Sequence, residues 1–251
     1  AIAAAGIRFD RWYSAAPVCS PTRGSCITGR HPYRYGIFSA NKGHMKEQEI
    51  TLAEALKTQG YATGHFGKWH MGTLTTEIKD SNRGNVGATE HYSPPWDNGF
   101  DVCFSTEAKV PTWDPMKVPG ADDFYGTHYW REDGNYVPID SPELAGDDSR
   151  VIMDRAIPFI RKAAGDRKPF LAIIWFHTPH KPVVAGPQYK AMYSTRTEDE
   201  QDYYGCVTAM DEQVGRLRTE LRRLGVAQDT MLWFSSDNGP ENGVTGITAG
   251  F

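Results

Sequence analysis

A chain of 251 residues with 39% hydrophobic and 23% charged residues is long enough for one large globular domain, or for a domain and a fragment of a second. Its formal net charge of −4, without any basic run, predicts that neither nucleic acid nor an anionic membrane surface is a partner. The longest apolar run, residues 170–176, is much too short to cross a bilayer.

The first half of the chain predicts few regular elements. Residues 1–5 are typical of the end of a helix, Gly6 of its stop, and Ile7 of the start of a strand. A chain that opens inside a helix is expected to be an internal piece of a longer protein. Thr51 is placed to cap a second helix that Gly60 ends, and a short strand should follow before the stretch "GKWHMG" at 67–72.

Residues 73–147 lose all periodicity and are rich in glycine, proline, aspartate and aromatic residues. We therefore predict a long surface excursion with a few short strands. Loops of this length inside a compact domain are usually functional or disordered. The many aromatic rings argue against disorder.

The second half alternates helices and strands. A helix with Pro158 inside it precedes "KPFLAIIWF", a run typical of a strand buried on both faces. A long helix over residues 198–224 then precedes "TMLWFSS" at 230–236, which predicts another buried strand. This order predicts an α/β fold with a mostly parallel sheet flanked by helices.

Three polar stretches follow predicted strands and should share one edge of that sheet: "GKWHMG", "HTPHKP" at 177–182 and "DNG" at 237–239. Each has an ordinary alternative, since "DNG" is a common turn and the other two could be packing loops. Lys68 and His70 would point to the same side of an extended segment and offer a cation and a base to an anionic substrate.

The stretch "CSPTRGSCITGR" at 19–30 carries the most specific pattern. Cys19 has no second ligand at the spacing of a zinc site, and as a plain nucleophile it would need a base and an oxyanion site. The stretch resembles the C-x-P-S/T-R-x-x-x-x-T-G motif of the type I, formylglycine-dependent sulfatases of the alkaline-phosphatase-like superfamily. The matching positions are Cys19, Pro21, Thr22, Arg23, Thr28 and Gly29. "GKWHMG", with Met71 where leucine is usual, "HTPHKP" and "SSDNG" match the family's later motifs in order.

That resemblance implies a mechanism. A maturation enzyme would oxidise Cys19 to formylglycine, and Arg23 would hold its hydrate. One hydroxyl would attack sulfur and release an alcohol, and the second would then expel sulfate, with His70 as a base.

The resemblance also implies the other roles. Lys68 would hold a sulfate oxygen. His180 and His177 are assigned to substrate binding, and His180 is expected to face the sulfate and protonate the leaving oxygen. Residue 19, Asp237 and Asn238 would ligate Ca²⁺, or less favourably Mg²⁺.

The family pattern also extends beyond this sequence. Its metal site uses two aspartates upstream of the chain, and a further lysine lies downstream of Phe251. We therefore expect residues 1–251 to be a fragment of a sulfatase catalytic domain, inactive as given.

Alternative functions stay open from the sequence. They are a phosphoesterase or phosphonate monoester hydrolase of the same superfamily, and a non-catalytic binder of sulfated glycans. The substrate is expected to be a sulfated small molecule or glycan, in a periplasmic, secreted or lysosomal-type compartment. The aromatic residues of the excursion could stack on sugars or simply pack it down; they include Trp96, Trp113, Tyr125, Tyr129 and Trp130.

Overall fold

The computed structural model describes residues 2–239 and contains a four-stranded sheet in the order β3-β2-β1-β4. The strands are β1 (Ala62–Lys68), β2 (Val102–Thr106), β3 (Trp130–Arg131) and β4 (Phe170–Trp175). β1 runs parallel to both β2 and β4, and the short β3 pairs antiparallel with β2. The predicted α/β fold with a mostly parallel sheet is therefore confirmed.

The helices are α1 (Cys19–Thr28), α2 (Pro32–Tyr35), α3 (Leu52–Lys57), α4 (Asp148–Gly165), α5 (Pro187–Ala191) and α6 (Glu198–Arg223). Short 3-10 turns occur at Ala3–Ala5, Pro95–Asn98, Pro142–Leu144 and Ala227–Asp229. Among residues 2–239, no helix has both the length and the apolar character that crossing a membrane requires.

Capping chemistry fixes where the predicted helices begin. Thr51 and Glu54 form a reciprocal capping box at the start of α3, and Thr197 and Glu200 form another at the start of α6. Each box satisfies amide groups that the first helical turn leaves without partners. Gly225, at φ 74°, follows the end of α6 in a backbone conformation that suits glycine.

The core lies on both faces of the sheet. Successive residues of a strand point to opposite faces, and Cys103 and Phe104 of β2 accordingly belong to different apolar clusters. Phe104 packs with α4 and α6, whereas Cys103 packs with residues of α1, α2 and α3. Helices thus cover the sheet on each side, and the loops after the strands are left to form a site.

Two predicted strands are absent. The backbone around Ile7 and over residues 230–236 is irregular, and the Trp233 side chain is 60% exposed. The outer edge of β4 pairs with no strand among the described residues, and an extended segment needs such a partner to be stable. For the same reason β4 is half-buried throughout, not buried on both faces as predicted.

The segment 73–147 contains short strands, as predicted, but they are not confined to the surface. It contributes β2, which lies inside the sheet between β1 and β3, so it is more than a surface excursion. The polar ends of "VCFST" conceal this strand in the sequence. Tyr129 and Trp130 are buried in the core, and of the rings considered for sugar binding only Trp96, Trp113 and Tyr125 remain partly exposed.

Candidate active site

The site begins where β1 ends beside the start of α1. Lys68 is the last residue of β1 and Cys19 the first of α1, and both side chains are buried. The ammonium of Lys68 donates to the Cys19 sulfur over 3.4 Å. Val18, the residue before the helix, supplies no capping side chain, so the positive end of the helix dipole lies at residue 19. The surroundings of Cys19 therefore favour negative charge.

Arg23 connects the sequence motifs to each other. This buried guanidinium donates to the backbone oxygen of Lys68 at 2.7 Å and to the Asp237 carboxylate at 2.8 Å. It also lies over the ring of Trp175, the last residue of β4, with 4.8 Å from its central carbon to the ring centroid. This one side chain therefore connects the Cys19 motif with "GKWHMG" and "DNG", and it reaches the end of β4, two residues before "HTPHKP" begins.

His70 lies next to this cationic pair, but the backbone is not extended there as the sequence prediction assumed. Its φ of 59° is uncommon for a residue other than glycine, and such strain is concentrated at functional sites. Its Nε2 and the Asn41 side-chain oxygen are hydrogen-bonded over 2.6 Å, and its buried Nδ1 has no partner among the described residues. Burial, and then the charges of Lys68 and Arg23, hold the pKa of His70 well below its ordinary value. A neutral imidazole can act as a base.

The two histidines after β4 have different surroundings. His177 is fully buried, with Nδ1 2.7 Å from the Asp148 carboxylate and Nε2 2.8 Å from the Thr106 hydroxyl. His180 is partly exposed, its Nδ1 lies 2.7 Å from the Lys181 oxygen, and its charge would lower the pKa of His70. His180 is thus close enough to His70 for its charge to act on the pKa of that imidazole.

Asp237 and Asn238 follow the irregular segment 230–236, and Asp237 joins the site through its ion pair with Arg23 of α1. Burial alone would raise the pKa of Asp237, but the positive charges of Arg23 and Lys68 outweigh it and keep the pKa below its ordinary value. The Asn238 amide nitrogen donates to the Gly239 oxygen at 2.8 Å. Its side-chain oxygen is buried and has no hydrogen-bond partner among residues 2–239.

Residues 1–248 match the family model described as Sulfatase. The chain belongs to the sulfatase family. This confirms the resemblance to sulfatases of the alkaline-phosphatase-like superfamily.

Relatives agree with this assignment. The chain is 32% identical to the ulvan-active sulfatase of Formosa agariphila over 98% of its length and 46% of the relative. It is 27% identical to the N-acetylgalactosamine-6-sulfatase of Canis lupus familiaris, covering 95% of the chain and 44% of that protein. The chain therefore spans about half the length of the curated relatives it matches.

Solved structures show the same fold. The PsFucS1 sulfatase from Pseudoalteromonas sp. superposes with a TM-score of 0.66 at 24% identity, over 89% of this chain and 46% of that one. The mostly parallel sheet with helices on both faces is thus the sheet of a sulfatase.

The oxygen donors at the site are of the kind that binds a hard cation. Asp237 offers a carboxylate, and Asn238 offers a buried amide oxygen that otherwise lacks a partner. Such ligands suit Ca²⁺ or Mg²⁺, and Ca²⁺ takes about six to eight of them. No group of three or more His, Cys, Asp or Glu side chains in the described range is arranged to hold a metal. These residues therefore supply part of a coordination shell.

Sequence reasoning missed the residues that hold the histidines in place. Asn41 bonds to His70 across 29 positions, and Asp148 bonds to His177 across the same separation. Tyr129 donates to the other oxygen of Asp148, which fixes that carboxylate. Asn41 lies in an ordinary turn sequence and Asp148 at a helix start, so neither position signals a role at this distance.

Proposed function

We propose that the complete protein hydrolyses sulfate esters of carbohydrates to an alcohol and inorganic sulfate. The observation that carries the proposal is the 3.4 Å contact between the buried side chains of Lys68 and Cys19, next to the buried Arg23. Support for a sugar substrate comes from the family match and from the names of the relatives, which act on ulvan and on N-acetylgalactosamine 6-sulfate.

The charges at residue 19 suit a sulfate group. Lys68 and Arg23 place two cations in a low-dielectric pocket, and Asp237 neutralises only one of them. Fixed charges in such a site stabilise developing negative charge without reorganisation during the reaction. Lys68 would bind a sulfate oxygen. Arg23 holds the end of β1 next to the "DNG" motif, because it donates to the backbone oxygen of Lys68 and to Asp237.

Residue 19 is proposed to supply the nucleophile. A maturation enzyme would use an external oxidant to remove two electrons from Cys19, so that its Cβ–S bond breaks, the sulfur leaves as hydrogen sulfide and Cβ becomes an aldehyde. Hydration of the aldehyde gives an oxygen nucleophile at the start of α1. His70, neutral and with a buried Nδ1 free of partners among the described residues, would accept a proton during turnover.

Ca²⁺, or Mg²⁺ as the less favoured ion, would be held by residue 19, Asp237 and Asn238, together with oxygen donors beyond these. Such a cation would supply Lewis-acid stabilisation of the oxygens at sulfur. The chain's own residues would then bind and orient the ester.

His180 is proposed as the residue that contacts the sulfate and protonates the leaving oxygen. His177 is better suited to positioning, because Asp148 and Thr106 engage both of its ring nitrogens. Its location directly after β4 would fix the loop that carries His180.

The test uses the complete protein produced together with a maturation enzyme. Peptide mass spectrometry should find an aldehyde at residue 19, and sulfate should be released from an aryl sulfate and from N-acetylgalactosamine 6-sulfate. The Cys19→Ala variant should release none. Faster phosphate release from the matched aryl phosphate would favour a phosphoesterase, and an unmodified thiol would remove the mechanism. The periplasmic, secreted or lysosomal-type compartment stays a prediction.

A further inference from the structure

A pocket of about 330 Å³ lies beside the candidate active site and has no part in the mechanism above. Its volume is within the range of small-molecule sites, roughly 300–1,000 Å³. Three separate segments of the chain form its walls, and they include Lys79, Ser81, Asn82, Lys109, Phe124 and Tyr125. The amide of Ser81 donates to the oxygen of Gly126 at 2.6 Å, which joins two of these walls.

The pocket is connected to His70 by a short series of hydrogen bonds. The Asn82 side chain donates to the same Asn41 oxygen that bonds to His70, over 3.2 Å and 2.6 Å respectively. Glu107 accepts from the Asn82 amide through its carboxylate and from the His70 amide through its backbone oxygen. A ligand in the pocket would therefore lie close to the reacting ester.

The two charged side chains that line the pocket, Lys79 and Lys109, are both positive. Within residues 2–239, neither Lys79 nor Lys109 forms an ion pair. Two acidic residues next to these walls are engaged elsewhere, since Glu107 pairs with Arg83 at 3.0 Å and Asp80 binds His128 and Trp130. A lysine ammonium is a strongly hydrated point charge that suits a sulfate or a carboxylate.

Two aromatic side chains give the pocket an apolar wall. Phe124 and Tyr125 are half-buried and pack against the main core cluster, so their positions are fixed. A rigid apolar wall beside cations is the combination that an anionic sugar requires, because the ring carbons need apolar contact and the anionic group needs charge.

We propose that this pocket binds a second anionic group, a sulfate or a carboxylate, on a glycan whose neighbouring sulfate ester occupies the Cys19 site. This inference rests on the proposed sulfatase function and narrows its substrate to a polyanionic oligosaccharide. Lys79 and Lys109 bind the anion, and Phe124 and Tyr125 contact the sugar that carries it.

Binding is measured by calorimetry on the complete protein carrying Cys19→Ala, which cannot turn over. Three probes separate the two anions: a chondroitin sulfate hexasaccharide, its desulfated form with carboxylates alone, and a dextran sulfate oligosaccharide with sulfates alone. The double change Lys79→Gln and Lys109→Gln should weaken binding of the preferred probe about tenfold. The matched control is Lys168→Gln, an exposed lysine before the amino end of β4, and it should have no effect.

Turnover gives the second readout, on matured protein with Cys19 retained. The double variant should lose about tenfold in kcat/KM on its oligosaccharide substrate through KM, and keep its kcat/KM on a small aryl sulfate. Equal losses in kcat/KM on both substrates, or failure of all three probes to bind, would overturn the proposal that this pocket binds an anionic group. Binding of a probe without sulfate release from any ester would instead reject the sulfatase function.

Discussion

Arg23 and Asp237 form a 2.8 Å ion pair between residues 214 positions apart in the chain. Arg23 is buried, while the side chain of Asp237 is 31% exposed. The same guanidinium holds the backbone oxygen of Lys68, so the pair fastens the first and the last motifs to the end of β1. Loss of Asp237 would leave a buried cation without its counter-charge, which is costly.

We expect a measurable coupling between these two residues. In the complete protein, Arg23→Met and Asp237→Ala, made singly and together, should give a coupling free energy of unfolding of about 1–3 kcal/mol. The control is the pair Arg8–Asp10, in which both side chains are 74% exposed and the coupling should stay below about 1 kcal/mol. Urea denaturation measures both cycles. Additive effects at Arg23 and Asp237 would mean that the pair does not join the motifs.

The pH dependence of turnover should report His70. Burial and nearby positive charge lower the pKa of His70 well below the ordinary histidine value of 6.5. Its imidazole therefore stays neutral when the pH falls past 6.5. The acid limb of kcat/KM should therefore lie well below that pH. Asn41→Asp would place a carboxylate where an amide oxygen lies 2.6 Å from Nε2, raise the pKa of His70 and move the limb to higher pH.

Asn41→Ser is the matched variant without added charge. It should lower the rate by loosening His70 and leave the position of the acid limb nearly unchanged. If the acid limb of kcat/KM lies at the same pH in Asn41→Asp and in the unmodified enzyme, a group other than His70 determines its position.

Stability should depend on pH through Asp147. This carboxylate caps α4 by accepting the Arg150 amide at 2.9 Å, and burial raises its pKa to about 7. Its pKa in the unfolded chain is about 3.9, so the folded state binds the proton more tightly. The contribution of Asp147 is therefore complete below pH 4 and is lost as the pH rises through 7.

The variant Asp147→Asn isolates this effect. Asparagine keeps the helix cap but does not titrate. The decrease in unfolding free energy between pH 5 and pH 8, measured by urea denaturation, should be smaller in the variant, by at most about 3 kcal/mol. If the unfolding free energy of the variant decreases as much or more, Asp147 is ionised in the folded protein at both pH 5 and pH 8.

The sequence was informative where chemistry is local and uninformative where it depends on pairing across the chain. The cap at Thr51 follows from residues three positions apart, so it could be predicted. The proposed strand at 230–236 was wrong because an apolar run becomes a strand only beside a partner, and β4 has none there in the described residues.

The same contrast holds at the site. A motif identified Cys19, Arg23, Lys68 and His70 as candidates, and the structure places them around one pocket. The roles of Asn41 and Asp148 depend on contacts between segments that only the fold brings together. Periodicity and local spacing carry no information about such contacts.

The last prediction separates His180 from His177. If His180 protonates the leaving oxygen, His180→Ala should reduce kcat steeply, and more for a sulfate ester with a poor leaving group, such as a sugar alcohol, than for an aryl sulfate. A good leaving group departs without a proton and needs the acid less. Equal losses on the two esters would leave His180 only a binding role.

His177→Gln serves as the comparison because it keeps a hydrogen-bonding side chain beside Asp148. Where the glutamine does not reproduce the histidine's hydrogen bond, the fully buried Asp148 carboxylate loses a partner. The free energy of unfolding should therefore fall by about 1–3 kcal/mol. Turnover on both esters should fall by a similar factor, since His177 would act by positioning the loop. A leaving-group dependence that appears in His177→Gln and not in His180→Ala would reverse the two assignments.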